Sequence, residues 1–414
     1  MQVLIAKANR EVKERKRIHN AMQDMKGAIR VFCRVRPFLP SEAAGPGDAG
    51  KEVFTFSTDT KLRLEDPTKG TTHSYTFDAV FGPAASQKRV FDEIAELVQC
   101  VVDGFNVCIF AYGQTGSGKT HTMMGGAGDP GVNVRALKEL FKTLDNMTSQ
   151  QDEWSTDVRV SMLEIYNESL RDLLTDGRPG SPGRGRKLEI RGIEHDVTVP
   201  GLTVRAVASV EDIERVLEQG RRHRASASTN MNEHSSRSHA ILSVYASSEN
   251  KILGRRSQGK LHLIDLAGSE RVAKSKVTGD QLREAVAINK SLSMLGDIIS
   301  ALQKQAGHIP YRNSRLTHLL SDSMGGDAKV AMFVNCSPCP ASVAESMSSL
   351  QFAEKVARVE LGQAQRNDAA SGKRGKSAKD AGGRRPLRAV GTPGKQNGTP
   401  KGTPKRGSMA IFES

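Results

Sequence analysis

The sequence predicts an α/β fold, a three-layer sandwich in which helices cover both faces of a central, mixed and mostly parallel β-sheet. Three observations predict this class. The apolar run at residues 107–111 indicates a buried strand, which leads into a glycine-rich loop and then into a segment compatible with a helix. Further strand and helix patterns alternate through the middle of the chain. The length of 414 residues accommodates one large α/β domain with flanking segments.

The glycine-rich loop matches the phosphate-binding pattern G-x-x-x-x-G-K-[ST]. Its glycines allow backbone N–H groups to face phosphate oxygens, and the N-terminus of the following helix adds partial positive charge. Lys119 is expected to reach the β- and γ-phosphates, and the Thr120 hydroxyl is expected to bind Mg²⁺. The sequence therefore predicts a nucleoside triphosphate site of the P-loop NTPase type. Its residues are Gly113, Gln114, Thr115, Gly116, Ser117, Gly118, Lys119 and Thr120.

The segments before this P-loop indicate strands and one helix. An alternating pattern at residues 29–36 predicts a strand, which Pro37 ends. Short strands are expected at residues 51–57 and 73–78. Residues 91–102 predict a helix that packs beneath the strand of the P-loop.

The segments after the P-loop continue the alternation. Residues 158–165 predict a strand followed by a helix that runs to residue 174, and Ser209 predicts the N-cap of a helix that runs to residue 217. Core strands are expected at residues 240–247, 260–265 and 330–335. Helices are expected at residues 282–302, with a clear apolar face, and at residues 345–359.

The positive charge of the chain lies in its two flanks. The net charge is +14; residues 1–30 carry 8 basic and 3 acidic side chains, and residues 363–414 carry 12 and 3, so the core is close to neutral. Residues 1–28 predict a weakly amphipathic helix, either a solvated single helix or the end of a coiled coil. Residues 363–414 have too few large apolar side chains to fold and are expected to be a disordered basic tail. Such flanks indicate an acidic polymer as partner.

The cysteines argue against a metal or redox site, and the hydropathy argues against a membrane-spanning segment. The five cysteines include one C-x-x-C pair, Cys336 and Cys339, with no second pair or histidine nearby, which argues against a metal or redox site. Isolated cysteines in apolar runs fit a reducing cytosol. The sequence shows no apolar stretch of membrane-spanning length and no signal peptide, so no membrane partner is expected.

Two further segments distinguish the kind of NTPase. Residues 232–239, Asn-Glu-His-Ser-Ser-Arg-Ser-His, are rich in hydroxyls that can ligate Mg²⁺ and touch a γ-phosphate. Residues 263–270, Leu-Ile-Asp-Leu-Ala-Gly-Ser-Glu, place Asp265 at the end of an apolar strand, where its carboxylate faces the water shell of the metal. Gly268 can present its N–H to the γ-phosphate. A loop held by that contact relaxes when the phosphate leaves, as a switch does.

With the P-loop, these segments closely resemble the kinesin motor domain, over residues 29–362. They are similar to its P-loop, switch I (residues 232–239) and switch II (residues 263–270), in that order. The resemblance implies that ATP is the nucleotide and Mg²⁺ its metal, with Thr120 and Ser236 as metal ligands and Asp265 behind a metal-bound water. It also implies that Ser235 and Gly268 sense the γ-phosphate. The resemblance adds a base pocket formed by Arg34, Arg36, Pro37, Tyr112 and His121.

The resemblance further implies how ATP is hydrolysed. Arg237 of switch I and Glu270 of switch II form a salt bridge when ATP is bound, and Glu270 relays a proton from the attacking water. Phosphoryl transfer requires positioning and charge compensation more than a strong base, so these residue types suit the reaction. A microtubule-stimulated ATPase that moves along microtubules is therefore implied.

The microtubule-binding face is implied by two more segments. Residues 289–296 resemble the relay helix of switch II, and residues 311–320 resemble a main microtubule-contacting segment with Arg312 and Arg315 as its charges. Lys274 and Lys276 lie in the loop before the relay helix. His318 stands where the family more often has a basic residue. Since tubulin is acidic, these contacts are expected to weaken with salt.

The flanks resemble the C-terminal-motor class of kinesins, class fourteen. A helix at residues 1–26 runs directly into the first strand, and residues 359–366 resemble the end of the core in that class. This resemblance implies movement towards the minus end, in the cytoplasm on the microtubule cytoskeleton, including the spindle. The chain by itself is expected to be a monomer or a truncation, because a homodimer needs a longer N-terminal coil.

Two alternatives remain at the level of the sequence. A non-motile, nucleotide-regulated microtubule tether or cross-linker would use the basic flanks as a second filament site. A nucleic-acid-binding ATPase would explain the net charge but not the switch sequences, so no nucleic acid partner is expected. Tubulin binding that depends on both salt and nucleotide would separate these classes.

Overall fold

The computed structural model describes residues 14–15, 18, 29–43, 51–126, 128–150, 154–175, 187–193, 197–225, 235–252, 254–270, 280–324, 328–360 and 368–370. Residues 14, 15 and 18 are helical; the rest of the predicted neck helix and nearly all of the predicted tail lie outside the described residues. No helix in these ranges is both long enough and apolar enough to span a bilayer.

The strands follow the sequence patterns closely. They are β1 (Ile29–Val35), β2 (Phe54–Thr58), β3 (Lys61–Asp66), β4 (Thr71–Thr76), β5 (Ala79–Phe81), β6 (Asn106–Tyr112), β7 (Gly125–Gly126), β8 (Asp129–Pro130), β9 (Trp154–Tyr166), β10 (Ser169–Asp172), β11 (Arg205–Ala206), β12 (Ser238–Asn250), β13 (Arg255–Asp265), β14 (Ala328–Cys336) and β15 (Asp368–Ala370).

The helices are α1 (Pro40–Ala43), α2 (Gln87–Asp92), α3 (Ala95–Val102), α4 (Lys119–Met124), α5 (Val132–Gln150), α6 (Val210–Ala225), α7 (Asp280–Gln303), α8 (Arg315–Leu319), α9 (Ser321–Met324) and α10 (Val343–Ala357). Short 3-10 helices occupy Tyr311–Asn313 and Pro340–Ser342. As predicted, the Ser209 hydroxyl caps α6, because it accepts a hydrogen bond from the Asp212 N–H at 3.2 Å.

The main sheet runs β10-β9-β12-β13-β6-β14-β1-β5, with β11 paired to β9 and β15 to β13 in the described residues. Parallel pairs join β13, β6, β14, β1 and β5. The other half is antiparallel, because β12 and β13 are joined by a short connection at residues 251–254. The mixed sheet of the predicted fold class is confirmed, with more antiparallel pairing than expected.

Apolar cores lie on both faces of this sheet, which gives the three predicted layers. On one face, α7, α8, α9 and α10 supply buried side chains such as Leu295, Leu316 and Leu350. On the other face, α2 to α6 supply side chains such as Val90, Leu97 and Leu140. The nucleotide loops project from the edge where the parallel strands β6, β13, β14 and β1 all end, the usual place for a ligand in such a sheet.

Three sequence predictions about elements are wrong. The helix predicted after residue 165 is instead the strand β10, which forms a hairpin with β9, because Asn167 and Glu168 adopt positive φ angles of 49° and 54°. The single helix predicted at residues 91–102 is split between α2 and α3. The disorder predicted from residue 363 does not hold at β15, which pairs antiparallel with β13.

Candidate functional site

The P-loop links the C-terminal end of β6 to the N-terminus of α4. Gly113 has a φ of 145°, and a side-chain carbon there would collide with the Asn335 carbonyl oxygen on the neighbouring strand β14. Gly118, with a φ of 98°, precedes the first residue of α4. Both positions therefore require glycine, and they aim the loop at the helix N-terminus, where an anion is stabilised.

Lys119 is buried beneath the loop. Its Nζ donates to the carbonyl oxygens of Gly113 and Gln114, both at 2.8 Å. Burial lowers the pKa of Lys119, while the negative charges of Asp265 and Glu270 oppose that shift. The ammonium group therefore lies inside the phosphate-binding turn, held by carbonyls that a phosphate would replace.

Thr120 and Asp265, which are predicted to lie around the same metal ion, are in direct contact in the structure. The Thr120 hydroxyl donates to Asp265 Oδ2 at 2.8 Å. The other carboxylate oxygen, Oδ1, is buried and accepts no hydrogen bond from the described part of the chain. A buried acceptor of this kind beside a hydroxyl fits a hydrated cation, because water bound to the cation would donate the missing hydrogen bond.

Switch II directly contacts both switch I and the P-loop. The Gly268 N–H donates to the Ser236 carbonyl oxygen at 2.8 Å, and the Ser269 N–H donates to the Gly113 carbonyl oxygen at 3.1 Å. The Glu270 carboxylate accepts hydrogen bonds from the Thr115 N–H, at 2.8 Å, and from the Thr115 hydroxyl. In this structure the Gly268 N–H is therefore bonded to the backbone of switch I. The bridge between Glu270 and Arg237 stays a prediction for the ATP-bound state.

Arg224, on the last turn of α6, is a member of the site that sequence analysis missed. Its guanidinium donates to Asp265 Oδ2 at 3.1 Å and to the carbonyl oxygens of Ser235 and Ser238 at 3.1 and 3.2 Å. Its Nε lies 3.7 Å from a carboxylate oxygen of Glu164, which is buried on β9. One arginine therefore joins the backbone of switch I to the carboxylate of switch II, although it lies outside all of the motifs.

His239, the last residue of switch I, connects both switches to the relay helix α7. Its Nδ1 accepts a hydrogen bond from the Ala267 N–H at 3.1 Å, and its Nε2 lies 2.8 Å from the Ser291 hydroxyl of α7. Burial, together with the charges of Arg224 and Lys119, lowers the pKa of His239 to about 3. The imidazole is therefore neutral, and since Nδ1 accepts, Nε2 carries the proton that is donated to Ser291.

The predicted base pocket is only partly assembled. Arg34 is buried, and its Nη1 donates to Gln87 Oε1 at 2.8 Å and to the Thr122 hydroxyl at 3.0 Å. The Gln87 amide also donates to the His121 carbonyl oxygen at 2.6 Å, which ties Arg34 to the helix of the P-loop. His121 and Pro37 are exposed beside the loop. Although much of the His121 surface is exposed, partial desolvation of its ring and the nearby charge of Arg34 lower the pKa of His121.

The prediction that Tyr112 completes this pocket is wrong. Its ring stacks on Phe352 of α10, with centroids 4.5 Å apart. It packs against the core on the face of α7 and α10, whereas the neighbouring Ala111 belongs to the opposite core, beside α4. Side chains of a strand alternate between faces, so Tyr112 points away from His121.

The predicted filament contacts lie together where the structure describes them. Arg312 is exposed and Arg315 is half-buried at the start of α8. The Arg315 N–H donates to Glu168 Oε2 at 2.9 Å, and His318 Nε2 lies 2.7 Å from the Gly192 carbonyl oxygen, so two other loops fix this helix. Lys274 and Lys276 lie outside the described residues.

Three comparisons with known proteins agree with this geometry. The family model of the kinesin motor domain matches residues 34–359. Kinesin-like protein KIN-14G of Arabidopsis thaliana is 47% identical over 363 residues, covering 86% of this chain and 36% of that protein. The most similar curated relatives are matched over 33% to 45% of their length, so the chain spans less than half of each.

Two solved structures are similar over most of their length. One, described as the C-terminal motor and motor homology domain of Kar3Vik1 fused to a synthetic heterodimeric coiled coil, has a TM-score of 0.75 and 38% identity. The match covers 86% of this chain and 92% of the chain in that structure. The other, a KIF14 dimer in a two-heads-bound state with AMP-PNP in complex with a microtubule, has a TM-score of 0.73 and 36% identity. The match covers 82% of this chain and 96% of the chain in that structure.

Proposed function

The chain belongs to the kinesin motor family, within its C-terminal-motor class, and we propose that it is a microtubule-stimulated ATPase that moves towards the minus ends of microtubules. One observation carries this proposal. At the end of the parallel strands, switch II is hydrogen-bonded both to switch I, through Gly268 and Ser236, and to the P-loop, through Glu270 and Thr115. A nucleotide phosphate bound there would contact all three loops at once.

ATP is the proposed nucleotide, with Lys119 on its phosphates and Mg²⁺ held by Thr120 and Ser236. Asp265, whose Oδ1 lacks a described partner, would accept a hydrogen bond from metal-bound water. Mg²⁺ supplies positive charge to the phosphate oxygens as the reaction proceeds. Arg34, Arg36, Pro37 and His121 border the proposed site on the side of α4.

Turnover requires Glu270 to change partners. In the structure its carboxylate is bound to Thr115. We expect ATP to draw switch I inward, so that Ser235 and Gly268 face the γ-phosphate and Glu270 pairs with Arg237. Glu270 would then accept the proton of the attacking water, directly or through a second water. Release of phosphate would return Glu270 to Thr115.

The path from the nucleotide to the filament passes through His239. A displacement of Ala267 in switch II alters one hydrogen bond of this imidazole, and Ser291 on α7 holds the other. The relay helix α7 packs beside α8, which begins at Arg315, and beside the preceding 3-10 helix, which carries Arg312. This contiguous set of contacts supports coupling between ATP state and microtubule affinity.

Microtubules are the proposed partner, through Arg312, Arg315, Lys274 and Lys276. A solved relative that is a dimer in complex with a microtubule, and another that is fused to a heterodimeric coiled coil, support this partner and a dimer. We place the protein on the microtubule cytoskeleton, and propose the spindle as one location. A non-motile tether is the less favoured alternative, because the switch residues needed for turnover are all present.

Co-sedimentation with microtubules tests this function. We expect tight binding with AMP-PNP, weaker binding with ADP, and loss of both at high salt. Binding that is equal in both nucleotides would contradict both the motor and the nucleotide-regulated tether. Nucleotide-dependent binding without stimulated ATP turnover would favour the tether. Gliding of polarity-marked microtubules over immobilised protein then tests direction, and plus-end-directed gliding would contradict the class-based proposal.

A further inference from the structure

Arg36 is fully occupied by contacts within the protein. Its Nε donates to the Gly116 carbonyl oxygen of the P-loop at 2.6 Å. Its Nη1 donates to the Pro37 carbonyl oxygen at 2.9 Å and to Glu42 at 2.6 Å. Its Nη2 donates to Glu42 at 2.6 Å and to the Ser337 hydroxyl at 3.0 Å. A guanidinium has five N–H donors, and all five are used here.

These contacts join the end of β1, the helix α1, the P-loop and the segment after β14. Glu42 lies on α1, Ser337 directly follows β14, and Arg36 directly follows β1. Glu42 holds the guanidinium by a two-pronged ion pair, and its Oε2 also accepts the Leu39 N–H at 2.9 Å. The hydrogen bond to Arg36 lowers the pKa of Glu42, so the carboxylate remains charged near neutral pH.

The contact with Gly116 fixes the orientation of one peptide in the P-loop. In a trans peptide the C=O and the following N–H point in opposite directions. Since the Gly116 oxygen points out to Arg36, the Ser117 N–H faces back across the loop, where it donates to the Gln114 carbonyl oxygen at 3.2 Å. The stem of Arg36 also lies against Gly118: a side-chain carbon on that glycine would lie 3.7 Å from Arg36 Cβ.

We propose that Glu42 is a positioning residue for nucleotide binding: it holds Arg36 on the Gly116 carbonyl and so presets the P-loop, which leaves no N–H donor of Arg36 for a hydrogen bond to the base. This inference rests on the proposed function and changes the role that the resemblance implies for Arg36. A P-loop that is held in place stabilises the bound ATP and the transition state of hydrolysis equally. Loss of Glu42 should therefore raise the KM for ATP and leave kcat unchanged.

The test is Glu42→Gln, which keeps the size of the side chain and removes its charge. The matched control is Glu93→Gln, because Glu93 pairs with Arg89 on the exposed surface of α2, away from the P-loop. We expect Glu42→Gln to weaken binding of fluorescent ATP and GTP analogues by the same factor, about tenfold, with kcat within about twofold of wild type. Glu93→Gln should match wild type in both.

Each other outcome overturns the inference. Unchanged affinity in Glu42→Gln shows that the ion pair does not set the loop. A changed ratio of ATP to GTP affinity shows that Arg36 reads the base. A fall in kcat at constant KM places Glu42 in the chemical step. Failure of the wild type to bind any nucleotide would instead refute the proposed function, and this inference with it.

A second variant keeps the test decisive if Glu42→Gln does not fold. Arg36→Lys retains the positive charge but loses the fork that spans Glu42, Ser337 and Gly116. We expect the same loss of affinity for both nucleotides. A variant that folds, as judged by circular dichroism, and binds as tightly as wild type would contradict the proposal.

Discussion

The buried carboxylate of Asp322 provides the sharpest stability prediction. It lies on α9 with 1% of its side chain exposed, and its Oδ2 is 2.7 Å from Lys260 Nζ and 3.4 Å from His262 Nε2. Its Oδ1 accepts the Ser323 hydroxyl at 2.9 Å. Burial alone would raise the pKa of Asp322, but His262 and Lys260 outweigh burial and hold it well below the usual range.

We predict that Asp322→Asn lowers the free energy of unfolding by about 3 kcal/mol. Removal of one partner from a buried ion pair typically costs about 3–5 kcal/mol. The lower value applies because Lys260 retains 19% side-chain exposure and can be partly rehydrated. If the free energy of unfolding falls by about 3 kcal/mol for each molar of urea, the urea concentration at the midpoint of unfolding should fall by about 1 M.

The control is Asp92→Asn, which removes a similarly spaced pair from the surface. Asp92 lies 2.8 Å from Lys88, with 46% and 72% of the two side chains exposed. That variant should stay within about 0.5 kcal/mol of wild type. If Asp322→Asn lowers the free energy of unfolding by no more than Asp92→Asn does, then the cost of burying the Asp322 charge cancels the energy of its ion pairs. That result would refute the reasoning.

The dependence on pH gives an independent check. The folded pKa of Asp322 lies below the unfolded value of about 3.9, so its stabilisation is complete above that value and is lost as pH falls through the folded pKa. The difference between wild type and Asp322→Asn should therefore begin to shrink as the pH falls below about 4. A difference that grows as the pH falls further below about 4 would contradict this account.

Three further predictions concern the site. Gly268→Ala places a side-chain carbon against the Glu270 carboxylate and the Thr115 hydroxyl, so these two side chains must move apart while nucleotide still binds. Because turnover requires the Gly268 N–H to face the γ-phosphate, steady-state ATPase should fall by about 100-fold or more. Gly307→Ala, in open space, should match wild type, and an active Gly268→Ala would refute the role proposed for Gly268. Ser291→Ala removes the partner of His239, so maximal microtubule stimulation should fall about threefold with the basal rate unchanged; full stimulation would exclude this path. Arg312→Ala should raise the microtubule KM about threefold at low salt and less at high salt, and a loss that does not depend on salt would contradict an electrostatic contact.

The sequence predicts those parts of the site that are contiguous in the chain. The P-loop, with its strand and helix, is specified by residues 107–124, and the Thr120–Asp265 contact follows because β6 and β13 are neighbours that end at the same edge. The wrong helix after residue 165 has a local cause. Its residues suit a helix, but the turn at Asn167 and Glu168 allows pairing with β9, and tertiary pairing prevailed.

Contacts between distant segments could not be predicted in the same way. Arg224 reaches Asp265 across 41 positions of the chain, and Arg36 reaches Ser337 across 301. Arg224 lies outside every motif, and the motif that contains Arg36 does not indicate Ser337 as its partner. Tyr112 shows a different limit, because a motif gives the order of residues but not the face of the sheet on which each side chain lies.

The measurement that tests the central claim most directly is the ATPase rate with and without microtubules, for wild type and Glu270→Ala. The control is Glu354→Ala, an exposed glutamate that pairs with Arg358 on α10. We predict strong stimulation by microtubules in wild type and control, and its loss in Glu270→Ala. Microtubule binding without stimulated turnover in the wild type, or full turnover in Glu270→Ala, would contradict the account.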